Sequence, residues 1–415
     1  MKKTSIEVVN LSVPVVPKEE TPIDRTFKNF KRFGSDNLFP QQIALINRTT
    51  VAHRGILKNK TIYTVGKGFI VDEGNDQLKD YIKNVNALNE SLKQVYKKFV
   101  FDFYGFGNAY VEFVTDRQRS FFNIFHKQSV RARISEDSKS VIFHPDWSRY
   151  TSNKKLAKTI PLYPNFEEID GNLRSMLHIK TYEPEFTFYG LPDWIAALDA
   201  TAIAFKTNKW NVSRLDNQFQ VSALLEIFGE ESDEELKKGI KNIKSEFTGE
   251  GKNAKLITIR KHPGGEATKY TPFVQNSEGE WIDLHKQSYQ DLIIEHNWFR
   301  SLTSLGEPGQ LGNTQQIRNE YAIAKATVID ETNDTLLTPI KQVLENETNL
   351  DIEDLTVNNQ NPINITDLLD LDFVVTKGEA RRLLGMPVDE DDPKMNEPIK
   401  TERNGSINIS TGSNQ

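Results

Sequence analysis

Apolar positions along the chain follow a helical period in some stretches and alternate in others, and the order of these stretches predicts an α+β protein. Residues 1–32 carry three prolines and scattered charge without a period, so they read as an extended arm. From Asn37 a helix is expected, with Ile43, Ile46, Val51 and Ile56 near helical spacing and Pro40 in its first turn. Gly66 and Gly68 interrupt residues 61–71, which predicts a helix end followed by a strand. A further helix is expected over 88–103, with Leu92, Val95, Phe99 and Phe103 on one face. Gly105 and Gly107 then turn the chain into a strand over 109–114, and β-type runs at 121–125, 130–134, 141–143 and 176–180 complete an α+β lobe.

After Tyr189-Gly-Leu-Pro-Asp-Trp the pattern becomes helical over 195–215, with Asp193 placed as the N-cap. The run 221–228 has strand length. Ser232-Asp-Glu-Glu has capping-box spacing and opens a helix to about residue 247, and 256–259 is another strand. A long helix is expected over 281–302, with Leu284, Ile294 and Trp298 among its apolar members. Ser304-Leu-Gly-Glu-Pro-Gly-Gln-Leu-Gly-Asn separates it from a second long helix over 314–345. That helix has Ile317, Tyr321, Ala324 and Val328 on a face and a kink expected at Pro339. From 349 the chain is polar, and its last twenty-odd residues have the composition of a disordered tail. No internal repeat is evident.

Composition narrows the class. With 415 residues, 37% hydrophobic and 27% charged, the chain suits a globular protein of two or three lobes. No stretch nears the roughly 18 consecutive apolar residues of a spanning helix, and the start lacks a signal-peptide core, so assembly in the cytoplasm with no membrane partner is expected. The absence of cysteine removes disulfides and thiolate chemistry. A net charge of −6 argues against a protein that clamps nucleic acid through many phosphate contacts, while suiting a wall past which DNA slides.

Candidate chemistry is sparse. None of the seven histidines has the spacing of a zinc hydrolase helix, and neither a metal nor a cofactor is expected. His285 and His296, eleven apart, read as surface or packing residues. Gly306, Gly309 and Gly312 precede no Gly-Lys-Ser/Thr, so a flexible turn is the better reading than a phosphate loop. No Gly-x-Ser-x-Gly elbow is present. Basic residues concentrate between Lys237 and Lys269, where a solvated helix face competes with a nucleic-acid contact. The enzyme alternative is a metal-dependent nuclease of phage origin, its acids gathered from distant segments.

Several landmarks stand in a characteristic order: Gly107-Asn-Ala-Tyr-Val-Glu after a helix, then His178-Ile-Lys leading to Tyr189-Gly-Leu-Pro-Asp-Trp-Ile-Ala-Ala-Leu. A helix, strand, helix, strand and long helix follow, with Thr376-Lys-Gly-Glu-Ala-Arg-Arg-Leu-Leu-Gly near the end. In this order the chain resembles the portal proteins of tailed bacteriophages, the head-to-tail connector rings. The resemblance implies a portal-type subunit: arm 1–32, α/β wing 33–192, first stem helix 193–218 and a small α/β clip 219–272. It continues with a second stem helix 280–300, tunnel loop 301–314, crown-side helix 315–348 and C-terminal tail 349–415. It further implies a virion ring, as a rule of twelve subunits, at one capsid vertex. Such a ring is a channel for packaging and ejecting double-stranded DNA, without sequence specificity or enzymatic activity of its own.

The implied partners are the large terminase, which would supply the ATP-driven work, a head-tail adaptor, and the major capsid or scaffolding protein. Leu305, Gly306, Glu307, Pro308, Gly309, Gln310, Leu311, Gly312 and Asn313 would form the loop facing the channel, although Leu305 and Leu311 suit packing against neighbouring helices equally well. Lys237, Lys238, Lys241, Lys244, Lys252 and Lys255 would meet a partner or DNA at the clip.

Overall fold

The computed structural model describes residues 29–216, 223–227, 248–249, 252–253, 256–260, 269–272, 278–303, 314–359, 376–383 and 392–396. The chain divides into two compact units, Met1–Gly312 with Glu320–Asn359, and Asn313–Asn319 with Gln360–Gln415.

The first unit opens with two helices where the apolar spacing suggests one. Helices α1 (Phe39–Thr49) and α2 (Val51–Val65) are separated by Thr50, whose backbone is extended. The break rotates Val51 off the apolar face, leaving it 68% exposed, while Ile43, Ile46 and Ile56 are buried. Pro40 occupies the first turn of α1 as expected. Gly66 ends α2 with φ 55°, and strand β1 (Phe69–Ile70) follows. Helix α3 (Asp76–Lys83) was not visible in the pattern because it buries a single apolar residue, Leu78; Asn75 caps it by accepting from Leu78 N at 3.1 Å. Helix α4 (Leu92–Phe106) starts later than the spacing suggests, since Ser91 and Gln94 form a reciprocal capping box that fixes the first turn. Leu88 is left outside it and 69% exposed.

Helix α4 leads into strand β2 (Asn108–Thr115), every residue of which is buried. It pairs with β3 (Phe122–Lys127) and, after a three-stranded sheet of β4 (Ala132–Ile134), β5 (Ser140–Phe143) and β6 (Lys158–Pro161), with β8 (Asn172–Lys180). Strand β7 (Glu167–Ile169) completes the antiparallel order β3-β2-β8-β7. The pairing of Phe113 with Ile124 and of Val111 with His126 puts these four side chains on one face of the sheet. That face meets α4, where His126 contacts Asp102.

A 3-10 turn (Ile195–Ala197) begins helix α5 (Leu198–Asp216). The segment that follows contains a three-stranded sheet of β9 (Ala223–Ile227), β12 (Leu256–Arg260) and β13 (Lys269–Pro272), with a small hairpin of β10 (Thr248–Gly249) and β11 (Lys252–Asn253). Strand β12 runs parallel to β9 and β13 antiparallel to it. The helix expected from Ser232 lies outside the described residues.

Helix α6 (Glu278–Glu295) packs along α5. It stops before the expected residue 302 because Asn297 takes a left-handed backbone, φ 46°, and Trp298 N returns to Ile293 O. Trp298 is therefore buried beyond the helix end, while Leu284 and Ile294 are exposed and Leu292 and Ile293 form the buried face. Helix α7 (Thr314–Ala324) continues through a π turn (Lys325–Ile329) into α8 (Asp330–Glu347). The departure from α geometry thus falls at this turn, where an extra residue is accommodated, and Pro339 lies inside α8. Tyr321, Ala324 and Val328 are buried as a face, as their spacing predicted. Strand β14 (Thr356–Val357) returns to pair with β1, burying Ile352 and Leu355 on the way.

In the second unit, helix α9 (Lys377–Leu383) starts with a capping box: Glu379 N donates to Thr376 Oγ1 at 3.3 Å and Thr376 N to Glu379 Oε2 at 2.9 Å. A 3-10 turn (Pro393–Asn396) follows.

Candidate functional site at the root of the long helices

The two sequence landmarks farthest apart in the α+β lobe of the first unit meet at the entry to α5. Gly107 caps α4 with φ 66°, and a Cβ there would lie 2.2 Å from Leu191 C. A Cβ on Gly190 would lie 2.3 Å from Gly107 O and 2.7 Å from Thr181 N. Both positions therefore require glycine, one for its backbone sign and both for backbone-to-backbone approach. Asn108 locks the contact: its Nδ2 donates to Phe106 O at 2.9 Å and to Gly190 O at 2.7 Å, and its Oδ1 accepts from Gly190 N at 2.9 Å. His178 Nε2, from the third landmark, reaches the same Oδ1 at 3.1 Å. Tyr189 OH accepts from Ile134 N and donates to Lys31 O, tying this loop to the second sheet and to the start of the described chain.

Immediately beyond the clasp, a buried polar cluster roots both long helices on α2. Lys60 Nζ, fully buried, donates to Asp193 Oδ2 at 2.7 Å and to His296 O at 2.9 Å, and sits 4.3 Å over the Tyr104 ring. Asp193 is thus Lys60's counter-charge rather than the N-cap, a place taken by Trp194 with no side-chain cap bond. Trp194 Nε1 donates to Tyr104 O at 3.0 Å, which fixes the start of α5 to the end of α4. Tyr104 OH in turn bonds Thr64 Oγ1 and donates to Thr332 Oγ1 on α8, and Tyr96 OH donates to Asn333 Oδ1 one residue along.

His53 and His296 complete the cluster, with His53 Nδ1 and His296 Nε2 2.9 Å apart. Asn47 Nδ2 donates to Gly105 O, so Asn47 Oδ1 must accept from His53 Nε2–H at 2.7 Å. A neutral His53 then offers Nδ1 to His296 Nε2–H. Burial, reinforced by the Lys60 charge, pulls the His53 pKa down to about 3. Burial, His53 and Lys60 likewise hold His296 well below the ordinary histidine range. The arrangement is a buried joint in which burial favours the neutral form of both histidines.

Sequence spacing missed this cluster, although one signal was present. His53, Ile56, Lys60 and Thr64 recur at helical spacing, which puts a lysine and a histidine on the buried stripe of α2. No local pattern linked them to Asp193 or His296. The residues expected to face DNA, Leu305 to Asn313, lie outside the described residues, as do Lys237, Lys238, Lys241, Lys244 and Lys255; Lys252 falls in β11, of which only the backbone is described. Among the described residues, no group of three or more His, Asp or Glu stands close enough together to hold a metal ion, and no helix is long and apolar enough to cross a membrane.

No family model matches the chain, and no curated protein sequence does. Solved structures do. A chain from the neck of an empty gene transfer agent particle superposes with a TM-score of 0.51 and 14% identity, over 85% of this chain and 95% of that one. The fold is that of a particle-neck chain. The native gene transfer agent virion gives the same TM-score at 15% identity and the same coverage. An HK97 family phage portal protein from Corynebacterium diphtheriae gives a TM-score of 0.44 at 9% identity, over 80% of this chain and 97% of that one.

Proposed function

We propose that the chain is a portal subunit, one member of a closed ring at a single capsid vertex through which double-stranded DNA is packaged and ejected. The observation that carries this reading is a likeness over 84–85% of the chain to chains from gene transfer agent necks, computed with C6 symmetry for the empty particle and C12 for the native one. Three of the landmarks that resemble portals, those at Gly107, His178 and Tyr189, converge at the root of two paired long helices, which supports the same reading.

In this reading residues 33–192 are the wing, α5 and α6 the stem pair, 219–272 the clip, 301–314 the tunnel loop and α7–α8 the crown-side helix. The ring acts by geometry. A stem pair anchored through Trp194 at one root and His296 at the other holds a loop of fixed origin against a moving duplex. The loop's Gly306, Pro308, Gly309 and Gly312 and its one acid, Glu307, offer the DNA phosphates little to bind. The work of packaging comes from a terminase ATPase docked on the clip, and a head-tail adaptor takes that surface afterwards.

Labelling tests it. A gold-tagged copy of the chain, expressed during assembly of the particle that encodes it, should appear as one label cluster per capsid, at the vertex that bears the tail. Label spread over all vertices, or absent from the particles, would overturn the proposal.

A further inference from the structure

A cleft of about 950 Å³ opens on the first unit between α2, α4 and the β5–β6 strands. That is at the upper end of the roughly 300–1,000 Å³ range of ligand pockets. Its two acids are already satisfied. Glu112, 1% exposed, accepts from Lys127 Nζ at 2.6 Å and Arg174 Nη1 at 2.9 Å. Asp102 accepts from Ser129 N at 2.8 Å, from Ser129 Oγ at 3.0 Å and contacts His126 Nε2 at 3.0 Å.

The rim is different. Lys58, Lys97 and Arg131 are exposed, and their side chains have no ion-pair or hydrogen-bond partner among the described residues. Between them stand two apolar side chains in water, Ile62 at 52% and Leu156 at 56% exposure. Uncompensated cations around exposed aliphatic surface call for a ligand with both carboxylates and apolar groups. A phosphate polymer would satisfy the cations and leave Ile62 and Leu156 wet.

The chain itself carries such a sequence outside the described residues. Residues 363–372 read Ile-Asn-Ile-Thr-Asp-Leu-Leu-Asp-Leu-Asp, five aliphatic residues with three aspartates and no basic residue. We propose that the cleft receives residues 363–372 of a neighbouring copy, a strap between adjacent subunits. The inference rests on the ring reading for the presence of that neighbour. Its recognition is chemical: aspartates meet Lys58, Lys97 and Arg131, and leucines cover Ile62 and Leu156.

The test uses the full chain with Ile62 replaced by p-benzoylphenylalanine, prepared as an equal mixture of ¹⁵N-labelled and unlabelled protein. After irradiation, mass spectrometry should find position 62 joined to 363–372 in mixed-isotope pairs. The triple variant Lys58→Glu, Lys97→Glu, Arg131→Glu should lower that yield at least about tenfold. Cross-links only within one isotope, only to other segments, or displaced by added duplex DNA would overturn the strap, as would no cross-link at all. Particle mass, measured on the same sample, separates the two readings: rings without this cross-link refute the strap alone, and a monomer without it refutes both.

Discussion

Asn108 spends both ends of its amide on the backbone of Gly190, donating to its carbonyl oxygen at 2.7 Å and accepting from its N–H at 2.9 Å. A strand-starting residue and a loop residue 82 positions away are thereby paired as neighbouring strands would be, at the point where the chain leaves the sheet for its long helices.

Asn108→Asp should be costly because it turns a donor that faces two carbonyl oxygens, those of Phe106 and Gly190, into an acceptor. A loss of about 2–4 kcal/mol is expected, the cost of buried groups left without partners. Urea denaturation of the purified variant measures it, and a loss below about 0.5 kcal/mol would show that the clasp is dispensable.

Gly107→Ala should be worse than a simple cap substitution. The new Cβ meets the Leu191 carbonyl carbon at 2.2 Å and backbone that cannot move without displacing Pro192. Expression of folded protein should fall sharply, whereas Gly74→Ala, where an added Cβ meets nothing, should be tolerated.

The Lys60–Asp193 pair is asymmetric, with the lysine fully buried and the aspartate side chain 41% exposed. Asp193→Asn should therefore destabilise by leaving an uncompensated buried charge, by about 2 kcal/mol after discounting for the exposed side. Lys60→Met in the same chain should recover part of that loss, because it removes the charge. A double-mutant cycle on urea midpoints checks both signs.

Acid should weaken the joint. His53 titrates near 6.5 when unfolded and near 3 when folded, so between those values the unfolded chain binds the extra proton. Its contribution is fully present above pH 6.5 and is lost as pH falls toward 3, with a slope of about 1.4 kcal/mol per pH unit. His53→Gln should be less stable at neutral pH and lose less on acidification from 6.5 to 4. Denaturation midpoints for both proteins across that window provide the comparison, and parallel curves would contradict the assignment.

Much of the architecture was legible from spacing because it depends on local patterns. The strands at 109–114 and 256–259 and the buried face of Tyr321, Ala324 and Val328 all lie where periodicity puts them. Boundaries set by single backbone conformations were not legible: Thr50 splits one expected helix into two, and Asn297 ends α6 early. The polar joint was hidden for another reason. Asp193 and His296 stand 133 and 236 residues from Lys60, and only the fold brings an oxygen of each within 3 Å of its Nζ. The landmarks, by contrast, were readable as motifs but gave no hint that Gly107 and Gly190 touch.

The most direct measurement is the mass and symmetry of the purified full-length chain by light scattering and electron microscopy. A closed ring with a central channel, at about twelve times the chain mass, is the predicted result. A monodisperse monomer across protein concentration and salt would contradict the account.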